Sequence, residues 1–543
     1  MTTGVLARRP VRGATALRAG RVRRPSPYQL FGLLFWLVMT LAYWRVPPCC
    51  DAGQHAAAVA RLRAGLPDPD LVSPYVLAQG ALARLTGLSG WAVLRICGPL
   101  NLLVLLTGVA RFVRVLTPRV WAPVLALALM SVLWGTTRVW GGGYLALMPM
   151  TGNLGFPSSC AIGLAFWAWA LTGARARDTR PVRFVGPSGL RGPSGYAALG
   201  ALYGLVALVD PVIGVGAAAG GVAFVAGWQR GPRAAVALRW AVTAGAAALM
   251  AGSGAAAAGA RASAVLDAVA AAARSQPPPA GLAGSCWLAL LLGLPALWLR
   301  ARRGSWRDPL VLLAALVWPA MVCGRLGGLL GLALVAPQCA LAVELAAARP
   351  WPVWRRVLGW TAAGGVCLGL LTVQAGAVVP RALDPVGFAQ PPRWPSYDWA
   401  ARYLGPGDVV LADDPRAVRS LPGYGAALAD ARGYLSPVAT RAERAAIVRR
   451  HRVRWLLLTP RHRVPAEAVV VAWSRRTGEV LARVGQGEAA RPVVAEVGGP
   501  VRHGQEADAD RQRGGGRGRR GGPVPADHSM TSSTGTLPRV ALE

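Results

Sequence analysis

Apolar runs close to twenty residues long recur along the chain, separated by short stretches rich in arginine, proline and glycine. A helix of that length crosses about 30 Å of hydrocarbon, so the pattern predicts membrane spans rather than a soluble core. They fall near 28–46, 91–111, 119–137, 156–173, 195–209, 212–228, 235–255, 284–299, 308–323, 328–347 and 357–379, eleven in all. The stretch 195–228 would be about 50 Å long as one helix, too long for a single crossing without strong tilt. It is read as two helices turning at Asp210-Pro211, with Asp210 as the N-cap and Pro211 at the first helical position.

The remaining segments break this rhythm. Between the first two spans, residues 47–90 form a polar loop that reads as two helices, one over 53–65 and one from Ser73-Pro74 to about Leu85, split by Leu66-Pro67-Asp68-Pro69-Asp70. From about 381 to 485 short β-rich runs alternate with helical ones: a helix over 394–404, a strand over 409–412, a helix over 439–451 and a strand over 453–459. Such alternation predicts a small α/β domain. Residues 486–543 are rich in Gly, Arg, Pro and Ser and too poor in large apolar residues to bury a core, so they read as a disordered tail.

The formal charge of +35 raises the question of nucleic acid. Here the arginines lie between apolar runs rather than on one face of a soluble fold, which speaks against it. Placed on the eleven-span scheme, they orient the protein. Residues 1–26 carry seven Arg and no acidic residue, a basic cytoplasmic N-terminus. The loops then predicted to be cytoplasmic carry Arg111, Arg114 and Arg119; Arg175, Arg177, Arg180, Arg183 and Arg191; Arg230 and Arg233; Arg300, Arg302, Arg303 and Arg307; Arg349, Arg355 and Arg356. The expected architecture is an α-helical polytopic protein of the cell membrane. It has a transmembrane domain over 27–380 and its α/β domain on the extracytoplasmic side. The eight cysteines form no CxxC pair, which leaves zinc-ribbon and thioredoxin-like readings without support.

Chemistry is sought where polar groups gather at the outer edge of the spans. Asp51 follows the first span in Asp51-Ala-Gly-Gln54, a spacing that fits a capping box, so the carboxylate either starts the helix or acts on a substrate at the bilayer surface. His55 lies four residues on, on the same helical face, and could meet a substrate hydroxyl or phosphate. Asp68 and Asp70 read as loop and capping residues, with metal binding as the alternative. Arg138 after span 3 and Arg325 after span 9 suit a lipid phosphate, which arginine binds bidentately, with Trp140, Tyr144, Asn153 and Arg274 near the same face. Asp210 is a capping residue or a further polar contact to substrate. No Walker loop or strand-linked GxGxxG is present to drive a pump.

Asp51-Ala-Gly-Gln-His55, Leu62-Arg-Ala-Gly-Leu-Pro-Asp68, the segment Arg95 to Asn101 and Phe156-Pro-Ser-Ser together resemble the multi-spanning glycosyltransferases of the GT-C class. Asp408-Val-Val-Leu-Ala-Asp and Arg449-Arg-His-Arg-Val-Arg-Trp-Leu-Leu-Leu are similar to the outer domain of some bacterial members. The absence of lysine amid abundant Ala, Gly, Pro and Arg resembles the coding bias of actinobacteria. The resemblance implies transfer of a sugar from a polyprenyl-phosphate donor to an acceptor hydroxyl on a cell-envelope glycan, lipid or protein, with inversion, at the outer face. It also implies an acidic residue of the first outer loop as base, which carries over to Asp51. Many members place two acidic residues there, whereas Cys50 precedes Asp51 here. No metal ligand set is assigned, and a divalent metal stays an open cofactor. Two alternatives remain, a transporter or lipid flippase and a non-catalytic protein that keeps the fold.

Overall fold

The computed structural model describes residues 25–47, 51–66, 73–138, 145–177, 193–230, 233–257, 269–270, 282–304, 306–323, 326–347, 352–392, 394–429, 432–436 and 438–485. The basic N-terminal segment to residue 24, Asp68, Asp70, Arg325 and the tail from 486 lie outside the described residues.

Each of the eleven expected runs coincides with a helix. The first, α1 (Pro27–Arg45), opens on a reciprocal capping box between Ser26 and Gln29. Helices α2 (Ala52–Arg63) and α3 (Pro74–Thr86) form the first loop. Then come α4 (Gly90–Leu116), α5 (Ala122–Val132), the short α6 (Leu147–Asn153), α7 (Pro157–Arg177), α8 (Pro193–Val209), α9 (Pro211–Trp228) and α10 (Arg233–Ala257). The last four are α11 (Leu282–Gly304), α12 (Pro309–Cys323), α13 (Leu330–Leu345) and α14 (Val353–Val378), which passes through a π-helical turn at Leu370–Gln374. Among the described residues, seven helices are long and apolar enough to cross a membrane. The bent pair α6 and α7, at 119°, makes an eighth, and α5, α8 and α12 are shorter apolar helices.

The third run departs from expectation. A helix over 119–137 was predicted, yet α5 stops at Val132 and the chain continues in irregular conformation to Arg138. Non-helical backbone at membrane depth needs its polar groups satisfied by protein. Here Gln338 of α13 donates to the Leu133 carbonyl at 2.7 Å, the Ala289 amide of α11 to the Trp134 carbonyl at 3.1 Å, and the Trp134 indole to Met130 at 2.7 Å. Gly135 lies so close to α11 that a Cβ there would stand 2.2 Å from the Gly284 carbonyl oxygen.

Polar contacts sort the helix ends onto two faces. On one, Arg45 at the end of α1 donates to the terminal carbonyls of α14, Ala377 at 3.0 Å, Val378 at 3.3 Å and Gly376 at 3.4 Å. Those carbonyls have no helical donor of their own, so a cation there is favourable twice over. First and last spans thus end on the same side, as an odd number of crossings requires. On the other face Arg119 donates to Ala346 at 2.7 Å, Arg300 pairs with Asp308 at 2.6 Å, and Arg303 and Arg355 converge on Glu344 at 3.2 and 3.1 Å. Arg177 there donates to the Val115 carbonyl and lies over the Trp228 ring.

The α/β domain holds a five-stranded sheet in the order β2-β1-β3-β5-β4. Its strands are β1 (Val409–Ala412), β2 (Ala427–Leu428), β3 (Trp455–Leu458), β4 (Ala468–Trp473) and β5 (Val480–Val484). β1 is parallel to β2 and β3, whereas β5 is antiparallel to β3 and β4. The two expected strands are its centre, and the helix expected near 439–451 is α16 (Arg441–His451), capped by Thr440 and Glu443. The expected helix over 394–404 is a single turn, Asp398–Ala401, because Pro395 biases Trp394 before it away from the helical region. The hairpin of β4 and β5 was not foreseen.

A short helix, α15 (Pro415–Ser420), and the 3-10 turn Leu421–Tyr424 carry this domain onto α2. A Cβ on Gly53 would lie 2.2 Å from the Arg419 carbonyl oxygen and 2.7 Å from the Ser420 Cα. On the same surface the Trp91 and Tyr424 rings pack at 5.4 Å. Since backbone cannot yield as a side chain tip can, Gly53→Ala is expected to cost about 1–3 kcal/mol and to expose the α15 region to protease. Gly245→Ala, where a Cβ meets nothing within 4 Å, should stay within about 0.5 kcal/mol. Thermal unfolding and limited proteolysis of the two variants side by side check this.

Candidate functional site at the head of the first loop

Asp51 occupies the N-cap position of α2, but its side chain makes no capping hydrogen bond. The expected capping box with Gln54 is therefore not formed, and the carboxylate is exposed. Its backbone carbonyl accepts from the His55 amide at 3.1 Å, which puts the two residues one turn apart on the same flank of the helix. His55 turns inward. Its ring meets that of Phe156 edge-on, 5.1 Å between centroids, and its Nδ1 is buried with no hydrogen-bond partner among the described residues. Burial lowers the His55 pKa below the ordinary imidazole value, and the negative charge of Asp51 opposes that shift without overcoming it.

Phe156 stands at the corner between α6 and α7, a corner built by the first loop and α4. Tyr75 of α3 donates to the Gly155 carbonyl at 3.0 Å, and Asn101 of α4 donates to the Tyr75 hydroxyl and to the Leu154 carbonyl, each at 2.7 Å. Three of the sequence segments that carried the resemblance, at Asp51–His55, Asn101 and Phe156, thus meet in one place although they are far apart in the chain.

The other candidates are dispersed. Arg138 is exposed at the end of the irregular segment after α5, where neighbouring Thr137 shares a hydrogen bond of 3.1 Å with Ser285 at the start of α11. Asp210 caps α9, accepting from the Ile213 amide at 3.0 Å. Arg325, Trp140, Tyr144 and Arg274 lie outside the described residues. Among the described residues no three His, Cys, Asp or Glu side chains converge as a metal site would require.

Sequence reasoning missed a cleft of about 950 Å³ between the exit of α1 and the α/β domain. Arg45 and Pro47 line it on one side, and Trp394, Trp399, Arg416, Trp473, Arg475, Arg476 and Glu479 on the other. It also takes in Asp414 and Thr459, which follow the carboxyl ends of the parallel strands β1 and β3. Strand order reverses about β1, with β2 on one side and β3 on the other, and that is where α/β sheets offer their ligand crevices. Arg45 was a usable signal, a cation at the one end of span 1 where positive charge is not expected.

Neither a protein-family model nor a curated protein sequence matches the chain. Solved structures do. The archaeal oligosaccharyltransferase AglB from Archaeoglobus fulgidus, in complex with an inhibitory peptide and a dolichol-phosphate, is similar with a TM-score of 0.53 at 10% identity, over 80% of this chain and 69% of its own. The apo form of the Archaeoglobus fulgidus enzyme gives 0.52 at 11% identity with the same coverage. A mutant of the arabinofuranosyltransferase AftD from Mycobacteria gives 0.50 at 14% identity, over 85% of this chain and 42% of that one. Similarity at such identities is similarity of fold, and the chain shares the fold of these proteins.

Proposed function

We propose that the protein is a membrane glycosyltransferase that moves a sugar from a polyprenyl-phosphate carrier to an acceptor hydroxyl at the extracytoplasmic surface. The observation that carries this reading is the Asp51 carboxylate, which is exposed and free of the capping bond that would explain it, on a helix that docks on the α/β domain. Orientation follows from charge. The face bearing Arg119, Arg177, Arg300, Arg303 and Arg355 has the arginine excess of a cytoplasmic surface, so Asp51 and the α/β domain lie outside.

The reaction needs little from the protein besides placement and one proton acceptor. The acceptor oxygen attacks the anomeric carbon as the carbon–oxygen bond to phosphate breaks on the opposite face, which inverts the centre. The bonding pair leaves on phosphate oxygen, and the acceptor's proton passes to the Asp51 carboxylate. A carboxylate is far too weak a base to ionise an alcohol beforehand, so it takes the proton as the new bond forms, a contribution of about 10²- to 10⁴-fold. His55, kept neutral by burial, offers a hydrogen bond to a sugar hydroxyl rather than a charge to phosphate. Arg138 and Arg325 are proposed to meet the donor phosphate, and Asp210 remains a proposed polar contact. A divalent cation is compatible with this chemistry.

Asp51→Asn is expected to leave membrane insertion and melting temperature unchanged and to reduce transfer from a polyprenyl-phosphate sugar by at least about 100-fold. Transfer at the wild-type rate would remove Asp51 from the mechanism. The buried His55 has its own signature. With its folded pKa below the ordinary value, the unfolded chain takes up a proton below about pH 6.5 while the folded chain does not. Stability therefore falls as the pH drops from 7 toward 5. Melting curves of His55→Gln should lose part of that acid sensitivity, and curves parallel to wild type would contradict the burial argument.

A further inference from the structure

The cleft beside α1 has a second reading, independent of Asp51. Helix α1 has 19 residues, about 28 Å at 1.5 Å per residue, and so matches one hydrocarbon thickness. Its last residue, Arg45, therefore stands at headgroup depth, and Arg45 and Pro47 connect the cleft to that depth. The cleft's aromatic residues are of the kind that this layer favours. Trp473 is 65% exposed, Trp399 has a buried indole Nε1 with no hydrogen-bond partner among the described residues, and Trp394 is half-buried in the same cleft. Tryptophan with an apolar body and a polar tip is at home between hydrocarbon and water.

The charges are unbalanced. Arg416, Arg475 and Arg476 make no ion pair among the described residues, and Arg45 spends its bonds on the carbonyls of α14. The cleft's two acidic groups are already committed. Asp414 caps α15 through the Arg416 amide at 2.8 Å, and Glu479 accepts from Thr477 at 2.7 Å and from Tyr397 at 3.2 Å. Four guanidinium groups thus line the cleft against two carboxylates bonded elsewhere, which leaves an excess of positive charge that a lipid phosphate would offset.

We propose that this cleft binds the phosphate of an anionic phospholipid in the leaflet where α1 ends, and that Trp473, Arg475 and Arg476, at and beside the β4–β5 turn, seat the α/β domain on the membrane. The phosphate lies among Arg416, Arg475 and Arg476, and the indoles of Trp394, Trp399 and Trp473 border its glycerol and upper acyl carbons. The site holds lipid whether or not the protein transfers sugar.

The test uses the full chain purified in detergent and offered mixed micelles of phosphatidylcholine with phosphatidylglycerol, with bound lipid read by native mass spectrometry. Wild type should retain phosphatidylglycerol in preference to phosphatidylcholine. Combined Arg416→Gln, Arg475→Gln and Arg476→Gln should weaken that retention about tenfold or more, as removal of several interfacial arginines would. Trp473→Ala, exposed and so harmless to folding, should weaken it by about threefold at an unchanged melting temperature. Equal retention by wild type and both variants overturns the proposal. So does loss of the bound phospholipid to equimolar inorganic phosphate or polyprenyl phosphate, which would make the cleft a site for free phosphate or for the donor. Asp51→Asn should retain lipid as wild type does, so failure of the transferase reading and failure of this one are distinguishable.

Discussion

The structure turns on a close approach of backbone to backbone. Helix α2 presses Gly53 against the Arg419–Ser420 segment of the α/β domain, at a separation that leaves no room for a methyl group. A few residues earlier in the chain, Arg45 closes the end of α1 onto the end of α14. Between these two fastenings lies the start of the first loop, with the helical bundle on one side of it and the α/β domain on the other. A carboxylate placed there has a fixed position relative to the bilayer surface and to any ligand held against the domain, a condition for catalysis by alignment.

The spans were legible because hydrocarbon imposes a length and leaves few sequence solutions. Arginine placement grouped the loops, and the ion pairs of Glu344 and Asp308 fall together on the face that also holds Arg119 and Arg177. What the sequence concealed are features fixed by tertiary contact. The end of α5 at Val132 depends on Gln338, some two hundred residues away, accepting the burden of the Leu133 carbonyl. The β4–β5 hairpin carries apolar residues of an edge strand without an alternating pattern, since Val469, Val470 and Val471 are all exposed. The motif around Asp51 was read for its acid and its histidine, while Gly53 between them proves to be what lets the domains touch.

The site shows the same division. Composition could place ionisable groups at the loop face, yet only the fold reveals which groups meet. Asn101 and the Gly155 corner come together through Tyr75, a residue no motif singled out, and His55 meets Phe156 directly. Asp210 keeps to the cap of α9, and Arg138 is exposed beside Thr137, which bonds Ser285 at the start of α11. The basic, tryptophan-lined cleft drew on residues 45, 394–399, 416 and 473–479, a set too scattered along the chain to be seen as one feature before folding.

All of this rests on Asp51 standing at the outer water–lipid boundary. A direct measurement is thiol labelling of Asp51→Cys, in a background with the eight native cysteines replaced, using a membrane-impermeant maleimide on intact cells. The account predicts rapid labelling from outside, with no increase on permeabilisation. Labelling that appears only after the membrane is opened would place the loop in the cytoplasm and contradict the orientation, the external domain and the proposed chemistry together.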